Sequence, residues 1–411
     1  MKRIALLSPT VYSPMSYIRF VGPASHLGIE LVNLKEASFS ECLEAVSASD
    51  VVVVQREAAK HPYAFKLREY TQKRDIPLLF DLDDLLFFLP KKHPDRLFQA
   101  LSGALVQMLR MTIEADAVTV CSNHLKHTIE RINPHTYVIP NYIDDRLWHI
   151  RPPAERGNTV NILYFGTPSH KTDLASIQPA LTYVLNKLGR SVSMTVVGIP
   201  PDKSLAPLSS LQNVKFDPKF ENDYRVFVSK ANNIKAHIGI APLEANNFNM
   251  SKSPIKFLEY SCMGVAGIYS NIPPYTEHIS SGRDGLIASN TDEWIDALIT
   301  LIQNDQLRRQ IVMSAQSKLQ EFLLSKAAPR WLSKLAAAAQ SPSNKDRIPS
   351  SQRVSDLLEV LLNEVRSSYL LKVKCKPKKS KEAASCAINR SQTIGQSLHW
   401  FVKRIRTLMN L

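Results

Sequence analysis

The chain has 411 residues, 44% of them apolar, and a formal charge of +14 at pH 7. That length exceeds one ordinary core and predicts two domains, and the apolar fraction excludes a disordered chain. No apolar run reaches the roughly 18–20 residues that span a bilayer, and the five cysteines (Cys42, Cys121, Cys262, Cys375 and Cys386) form no CxxC pair, which argues against a disulfide framework or a zinc site.

The start, MKRIALLSPT, has only Ile4–Leu7 as an apolar stretch before Pro9 intervenes, so it reads as a first buried strand and not as a secretory signal. With the cysteine usage, this predicts a cytoplasmic setting. Further short apolar runs at Asp50–Val54, Pro77–Phe80, Ala117–Val120 and Tyr137–Ile139 predict strands. Helical patterns over Pro62–Lys73 and Pro94–Glu114 lie between them. Such alternation predicts a parallel sheet covered by helices over residues 1–150. The polar, proline-containing stretch RPPAERGN then marks a boundary near residues 150–158.

A second alternating series predicts a domain over 158–340. Its strands are Val160–Phe165, Ser193–Val197, Val214–Phe216, His237–Ile240, Ala266–Tyr269 and Leu286–Ala288. Its helices are Asp173–Leu188, Pro254–Met263, Thr291–Gln303 and Gln306–Phe322, the last with Asp305 as N-cap. Residues 341–411 differ in character, with 14 Lys/Arg against 5 Asp/Glu. Val354, Leu357, Leu358, Leu361, Leu362, Val365 and Tyr369 follow helical spacing. The basic run KVKCKPKKSK comes next, and LHWFVKRIRTLMNL closes the sequence with Leu398, Phe401, Val402, Ile405 and Leu408 on one face. The expected fold class is α/β: two tandem doubly wound, Rossmann-like domains facing a cleft, plus a basic amphipathic helical C-terminal tail.

The most informative stretch is IGIAPLEANNFNMSKSPIKFLEYSCMGVAGIYS, residues 238–270. A strand ends at Ala241, an asparagine-rich loop follows, and Ser253 is placed to N-cap a helix that starts at Pro254 and stops at Gly264. A helix N-terminus suits a phosphate, and Lys252 lies just before it. Lys256 and Glu259 share a helix face. Lysines suit a diphosphate, and a carboxylate accepts hydrogen bonds from adjacent ribose hydroxyls. The alternative is a solvated helix on which Lys256 and Glu259 only pair with each other.

This segment resembles the nucleotide-sugar region of GT-B glycosyltransferases, in particular family 4 (glycosyl transferases group 1), where a helix ends in a Glu-Ala/Tyr-x-x-x-Gly pattern matched here by Glu259, Tyr260 and Gly264. Glu277, Gly282 and Gly285 match the family's continuation. ILYFGTPSHKTDL resembles the opening of its C-terminal nucleotide domain, and PNYID resembles the PNGID that closes its N-terminal domain. The resemblance spans about residues 1–325. It implies a GT-B glycosyltransferase, retaining and metal-independent, with a nucleotide-sugar as co-substrate and no other cofactor. It also implies a donor set of Gly166, Thr167, Lys171, Asn249, Lys252, Ser253, Lys256 and Glu259, with His170 on the phosphate-side loop as a catalytic candidate. Two positions depart from the pattern. Ser251 stands eight residues before Glu259, where the family has a first glutamate, and the strand that usually leads to a catalytic histidine leads here to DLDD.

That acidic run places Asp81, Asp83 and Asp84 at the carboxyl end of a strand. Clustered carboxylates suit a hard cation, a hydroxyl-binding or general-base cluster, or a structural turn and helix cap. A haloacid-dehalogenase nucleophile would need Thr where Leu85 stands. The catalytic candidates are therefore Asp81, Asp83, Asp84 and His170, with no metal site. His93, His124, Arg19 and Arg56 are weaker candidates, each with a surface or capping role as the simpler alternative. The expected partners are a nucleotide-sugar donor and a glycan or lipid-linked acceptor of surface polysaccharide synthesis. An anionic membrane surface could be met through residues 398–411 on the inner face of the cell membrane; packing of that helix on the body is the competing expectation. No nucleic-acid-binding motif is recognisable. Two rivals stand beside this reading: a nucleotide-sugar- or glycan-binding protein of the same fold without catalysis, and a membrane-tethered scaffold acting through the tail.

Overall fold

The computed structural model describes residues 1–90, 93, 104–155, 157–219 and 221–343. The expected tail helices, the basic run, and the Pro94–Gly103 part of the expected Pro94–Glu114 helix lie outside the described residues. Ala104–Glu114 is helical. No helix among the described residues is long and apolar enough to cross a membrane.

The chain forms two compact units, each built on a six-stranded parallel sheet. The first sheet contains β1 (Arg3–Leu7), β2 (Glu30–Asn33), β3 (Val51–Gln55), β4 (Leu78–Leu82), β5 (Ala117–Val120) and β6 (Thr136–Val138), in the order β2-β1-β3-β4-β5-β6. The second contains β7 (Val160–Phe165), β8 (Val192–Val197), β9 (Val214–Asp217), β10 (Ile238–Ala241), β11 (Ala266–Ser270) and β12 (Leu286–Ala288), in the order β12-β11-β10-β7-β8-β9. Eleven of the twelve strands lie on predicted runs. β2 does not, because ELVN is a partly exposed edge strand with no apolar run to announce it. The Phe39–Ser47 helix also went unread, although Ser38 and Glu41 form a reciprocal capping box at its start.

Strand β7 shows why the second sheet is buried on both faces. Val160, Ile162 and Tyr164 enter one hydrophobic cluster, whereas Leu163 and Phe165 enter the other, as the two-residue period of a strand requires.

The units divide the chain differently from the expected 1–150 and 158–340. Tyr12–Leu27 and Asn141–Arg330 form the second unit, and Met1–Val11, Gly28–Pro140 and the described residues from Trp331 form the first. Packing gives the reason. Tyr17 and Ile18 are buried in the second unit's core beside Ile143 and Trp148. The Tyr17 hydroxyl donates to Asp144 at 2.9 Å, and Arg146 donates to the Gly22 carbonyl and the Ser25 hydroxyl. Trp148 donates its indole N–H to the Tyr224 hydroxyl at 3.0 Å. At the other end, Ser341 donates to the Tyr137 hydroxyl within the first unit.

Three local readings are corrected. The expected Asp173–Leu188 helix is two helices, Lys171–Ser176 and Gln178–Leu188. Pro179, at the start of the second, lacks the N–H needed to continue the first. Asn304, not Asp305, caps the Asp305–Leu319 helix by accepting the Leu307 N–H. Pro254 occupies the N-cap of the Ile255–Met263 helix, and no side chain caps that end. Ser253 instead accepts a hydrogen bond from the Asn141 amide at 2.9 Å.

The second unit also holds a pH-sensitive joint. His237 is 9% exposed. Its Nδ1 accepts the Asn161 N–H at 2.9 Å, and its Nε2 donates to the Glu155 carbonyl at 3.0 Å. This is a neutral imidazole fully used by backbone. Burial pushes its pKa below the usual histidine value. The unfolded chain therefore binds the extra proton more readily, and stability falls as pH drops below about 6.5. His237→Ala should cost about 1–3 kcal/mol at pH 8, because the Asn161 N–H loses its acceptor, and the deficit should shrink towards pH 5. A deficit constant across that range in urea melts would contradict the assignment.

Candidate functional site

In the second sheet β7 and β10 are neighbours although β8 and β9 separate them in sequence. Strand order reverses there, which makes the carboxyl ends of β7 and β10 a topological switch point, the usual ligand position of such sheets. Gly166 begins the loop after β7, and its N–H donates to the Val197 carbonyl. A Cβ at Gly166 would sit 2.8 Å from the Tyr164 hydroxyl, so any side chain there would have to displace that phenol.

The loop continues through Thr167, whose hydroxyl shares a 2.5 Å hydrogen bond with Ser169, to His170. His170 Nδ1 lies 2.8 Å from Asp173 Oδ2. Asp173 is 3% exposed. Its other oxygen accepts the Glu244 backbone N–H and the Asn249 side-chain amide, each at 2.8 Å. Asp173 thus ties the β7 loop to the β10 loop and to the short Asn247–Met250 helix. Sequence reasoning placed Asp173 near the loop but gave it no role; the His-x-x-Asp spacing at a helix start was the available signal.

The Ile255–Met263 helix supplies the opposite side. Lys256 Nζ lies 2.8 Å from Glu259 Oε2 and 3.7 Å above the Phe165 ring. The pairing considered from sequence therefore exists, but as a sequestered pair and not a solvated one, since the Glu259 side chain is only 4% exposed. Burial pushes Glu259 up and Lys256 down from their ordinary values, and each partner opposes the other's shift. Lys252 Nζ stands 4.2 Å over the Phe248 ring. His170 lies within the fields of both lysines: burial, then Lys252, push its pKa down, while Asp173 resists and Lys256 adds to the fall. Burial raises the Tyr275 phenol, and the charges of Asp173 and Glu259 add to that. His170, Asp173, Lys252, Lys256 and Glu259 therefore form one electrostatic neighbourhood.

Other candidates fall elsewhere. The Lys171 ammonium pairs with Asp202 at 2.5 Å on the surface and helps hold that carboxyl at about 2. Asn249 is 3% exposed, and its amide is used on Asp173 and the Glu244 carbonyl. Ser251, at the position of the family's first glutamate, is fully buried and donates to the Asn247 carbonyl.

In the first unit the acidic run separates. Asp81 is a fully buried strand residue whose oxygens accept from Gln55 at 3.0 Å and Thr119 at 2.7 Å, so it links three strands and is shielded from any substrate. Asp83 and Asp84 face Arg56 at 3.3 and 3.9 Å, so a guanidinium offsets their charge where a cation was considered. Arg56 has a φ of 47°, a rare conformation for a residue with a side chain. Arg19, 2% exposed, donates to Asn141 in the second unit. His93 donates its backbone N–H to the Pro90 carbonyl, and His124 lies in the first turn of the Asn123–Ile129 helix. Among the described residues one grouping has metal-like spacing, His26, Asp144 and Asp145, with ligand atoms within 4.8 Å of one another. Both Asp144 oxygens are already engaged by Arg146, and one also by Tyr17.

The architecture matches solved structures along nearly their whole length. HepE of Anabaena, solved with UDP-glucose, superposes with a TM-score of 0.59 at 14% identity, covering 82% of this chain and 99% of that one. A glycosyltransferase from Rickettsia africae gives 0.58 at 13% identity, covering 83% and 99%. A sucrose-phosphate synthase from Thermosynechococcus elongatus gives 0.55 at 13% identity, covering 82% and 98%. The chain has the GT-B fold. Within that GT-B architecture, the switch point of the second unit carries the His170, Lys252 and Lys256–Glu259 constellation. No protein-family model matches the sequence, and no curated protein sequence matches it.

Proposed function

We propose that this GT-B chain is a glycosyltransferase that moves a sugar from a nucleotide-sugar donor to a glycan or glycolipid acceptor. The observation that carries the reading is the convergence, at one sheet's switch point, of two lysines, a buried carboxylate and a histidine. An uncapped helix N-terminus borders them. Lys252, Lys256 and the helix N-terminus hold the diphosphate and stabilise the charge that develops as it leaves. Glu259 takes the ribose hydroxyls through the oxygen not bonded to Lys256. In this scheme charge is offset by side chains, so transfer proceeds without a metal, and the sugar keeps its configuration as the family resemblance implies. HepE, which was solved with UDP-glucose and with UDP and glucose, makes UDP the first nucleotide to try.

The test is a thermal-shift panel of UDP, GDP, dTDP and ADP on the wild type and on a Lys256→Ala, Glu259→Ala double variant. A nucleotide at about 100 times its Kd should add about 2.7 kcal/mol to the wild type and nothing to the double variant. No stabilisation by any of the four would refute the donor site. Stabilisation without nucleoside diphosphate release from the matching sugar nucleotides would make the chain a binding protein.

A further inference from the structure

The sharing of Asp173 is more specific than a structural tie requires. One oxygen serves two donors on neighbouring segments, and the other is kept for His170 Nδ1. We propose that Asp173 is a positioning residue that fixes His170 as the tautomer protonated on Nδ1, leaving Nε2 as a hydrogen-bond acceptor for a hydroxyl of the transferred sugar. This rests on the donor-site reading above.

The argument is one of donors and acceptors. An ionised carboxylate only accepts, so the 2.8 Å contact requires a proton on Nδ1. The charged groups that act on the imidazole are Asp173, in contact at 2.8 Å, and Lys252 and Lys256, which lower its pKa from the segment after β10. Glu259 in turn pairs with Lys256 at 2.8 Å. Two cations favour the neutral ring, whose Nε2 then offers a lone pair. The lone pair accepts a hydrogen bond from a sugar hydroxyl, whereas an ionised phosphate oxygen has no proton to give it. The lysines therefore take the diphosphate, and His170 takes the sugar beyond it. Selectivity for a sugar over a bare nucleotide follows, because a site built to pair a hydroxyl loses that bond when the hydroxyl is absent.

Asp173→Asn separates tautomer from structure. Its Oδ1 can still accept from Glu244 and Asn249, but its amide must donate towards His170 Nδ1 and so drives the proton to Nε2. In ¹⁵N-histidine spectra of the full chain, wild-type His170 should be protonated on Nδ1 and the Asp173→Asn variant on Nε2, with both proteins folded. An Asn249→Ala variant, which removes one of the two donors to the other oxygen but spares the His170 contact, should keep the wild-type tautomer. Binding is measured with UDP and with UDP-glucose. The ratio of their Kd values should shift about three- to tenfold against UDP-glucose in Asp173→Asn and in His170→Ala, with UDP itself little changed. A wild-type His170 protonated on Nε2, or a variant that retains both tautomer and ratio, overturns the proposal. If neither UDP ligand binds the wild type, the UDP form of the donor reading fails, and the tautomer comparison still decides the role of Asp173.

Discussion

Asp116→Ala is expected to destabilise the first unit by about 3–5 kcal/mol, because it breaks a buried ion pair. Arg68 and Asp116 form a two-pronged pair at 3.0 and 3.2 Å with side chains only 3% and 4% exposed. The same carboxylate accepts the Leu78 N–H at 2.9 Å, where β4 begins. Removing it therefore breaks both prongs of a buried ion pair and leaves an unmatched N–H at the entry to a central strand. For a domain of this size the loss corresponds to a fall in Tm of roughly 10 °C. Asp116→Asn keeps an acceptor for Leu78 and should lose less. A change below about 1 kcal/mol in urea melts of Asp116→Ala would show that water reaches Arg68 and that the pair is not sequestered.

Gly264→Ala is the second large effect, expected at about 2–5 kcal/mol in the second unit. Gly264 ends the Ile255–Met263 helix with a φ of 69°, a left-handed conformation that costs an L-residue roughly 1–2 kcal/mol. A Cβ there would also meet the Pro152 carbonyl oxygen at 2.2 Å and that of Arg151 at 2.7 Å. Both are backbone atoms, so relief requires moving the 151–152 segment or the helix that carries Lys256 and Glu259. Stability and nucleotide-induced stabilisation should therefore fall together. A variant that melts like the wild type would mean that the Arg151–Pro152 backbone yields freely.

Much of the architecture was legible in one dimension. Parallel sheets buried on both faces need near-continuous apolar strands, and VVVV at 51–54 or ILYF at 162–165 announces them without help from distant residues. Gly264, the helix before it, and the pairing of Lys256 with Glu259 are also local, since residues three apart on a helix must meet. β2 was silent because an edge strand needs no apolar run, and the break at Ile177 was missed because Pro179 sat inside an otherwise helical pattern.

What only the tertiary structure decided was long-range. Tyr12–Leu27 belongs with the second unit because Tyr17 and Asp144, 127 residues apart, meet in its core. Asp81 looked like one of three equivalent carboxylates. Its neighbours Gln55 and Thr119, from strands on either side, withdraw it from solvent and leave Asp83 and Asp84 to Arg56. Asp173 could be placed at a helix start from the sequence, but its second oxygen finds Glu244 and Asn249 some seventy residues later in the chain. Sequence alone determined which residue types could hold a nucleotide diphosphate. The fold decided which of them keep a lone pair or a charge for it, because burial and hydrogen bonding depend on neighbours that only the folded sheet brings together.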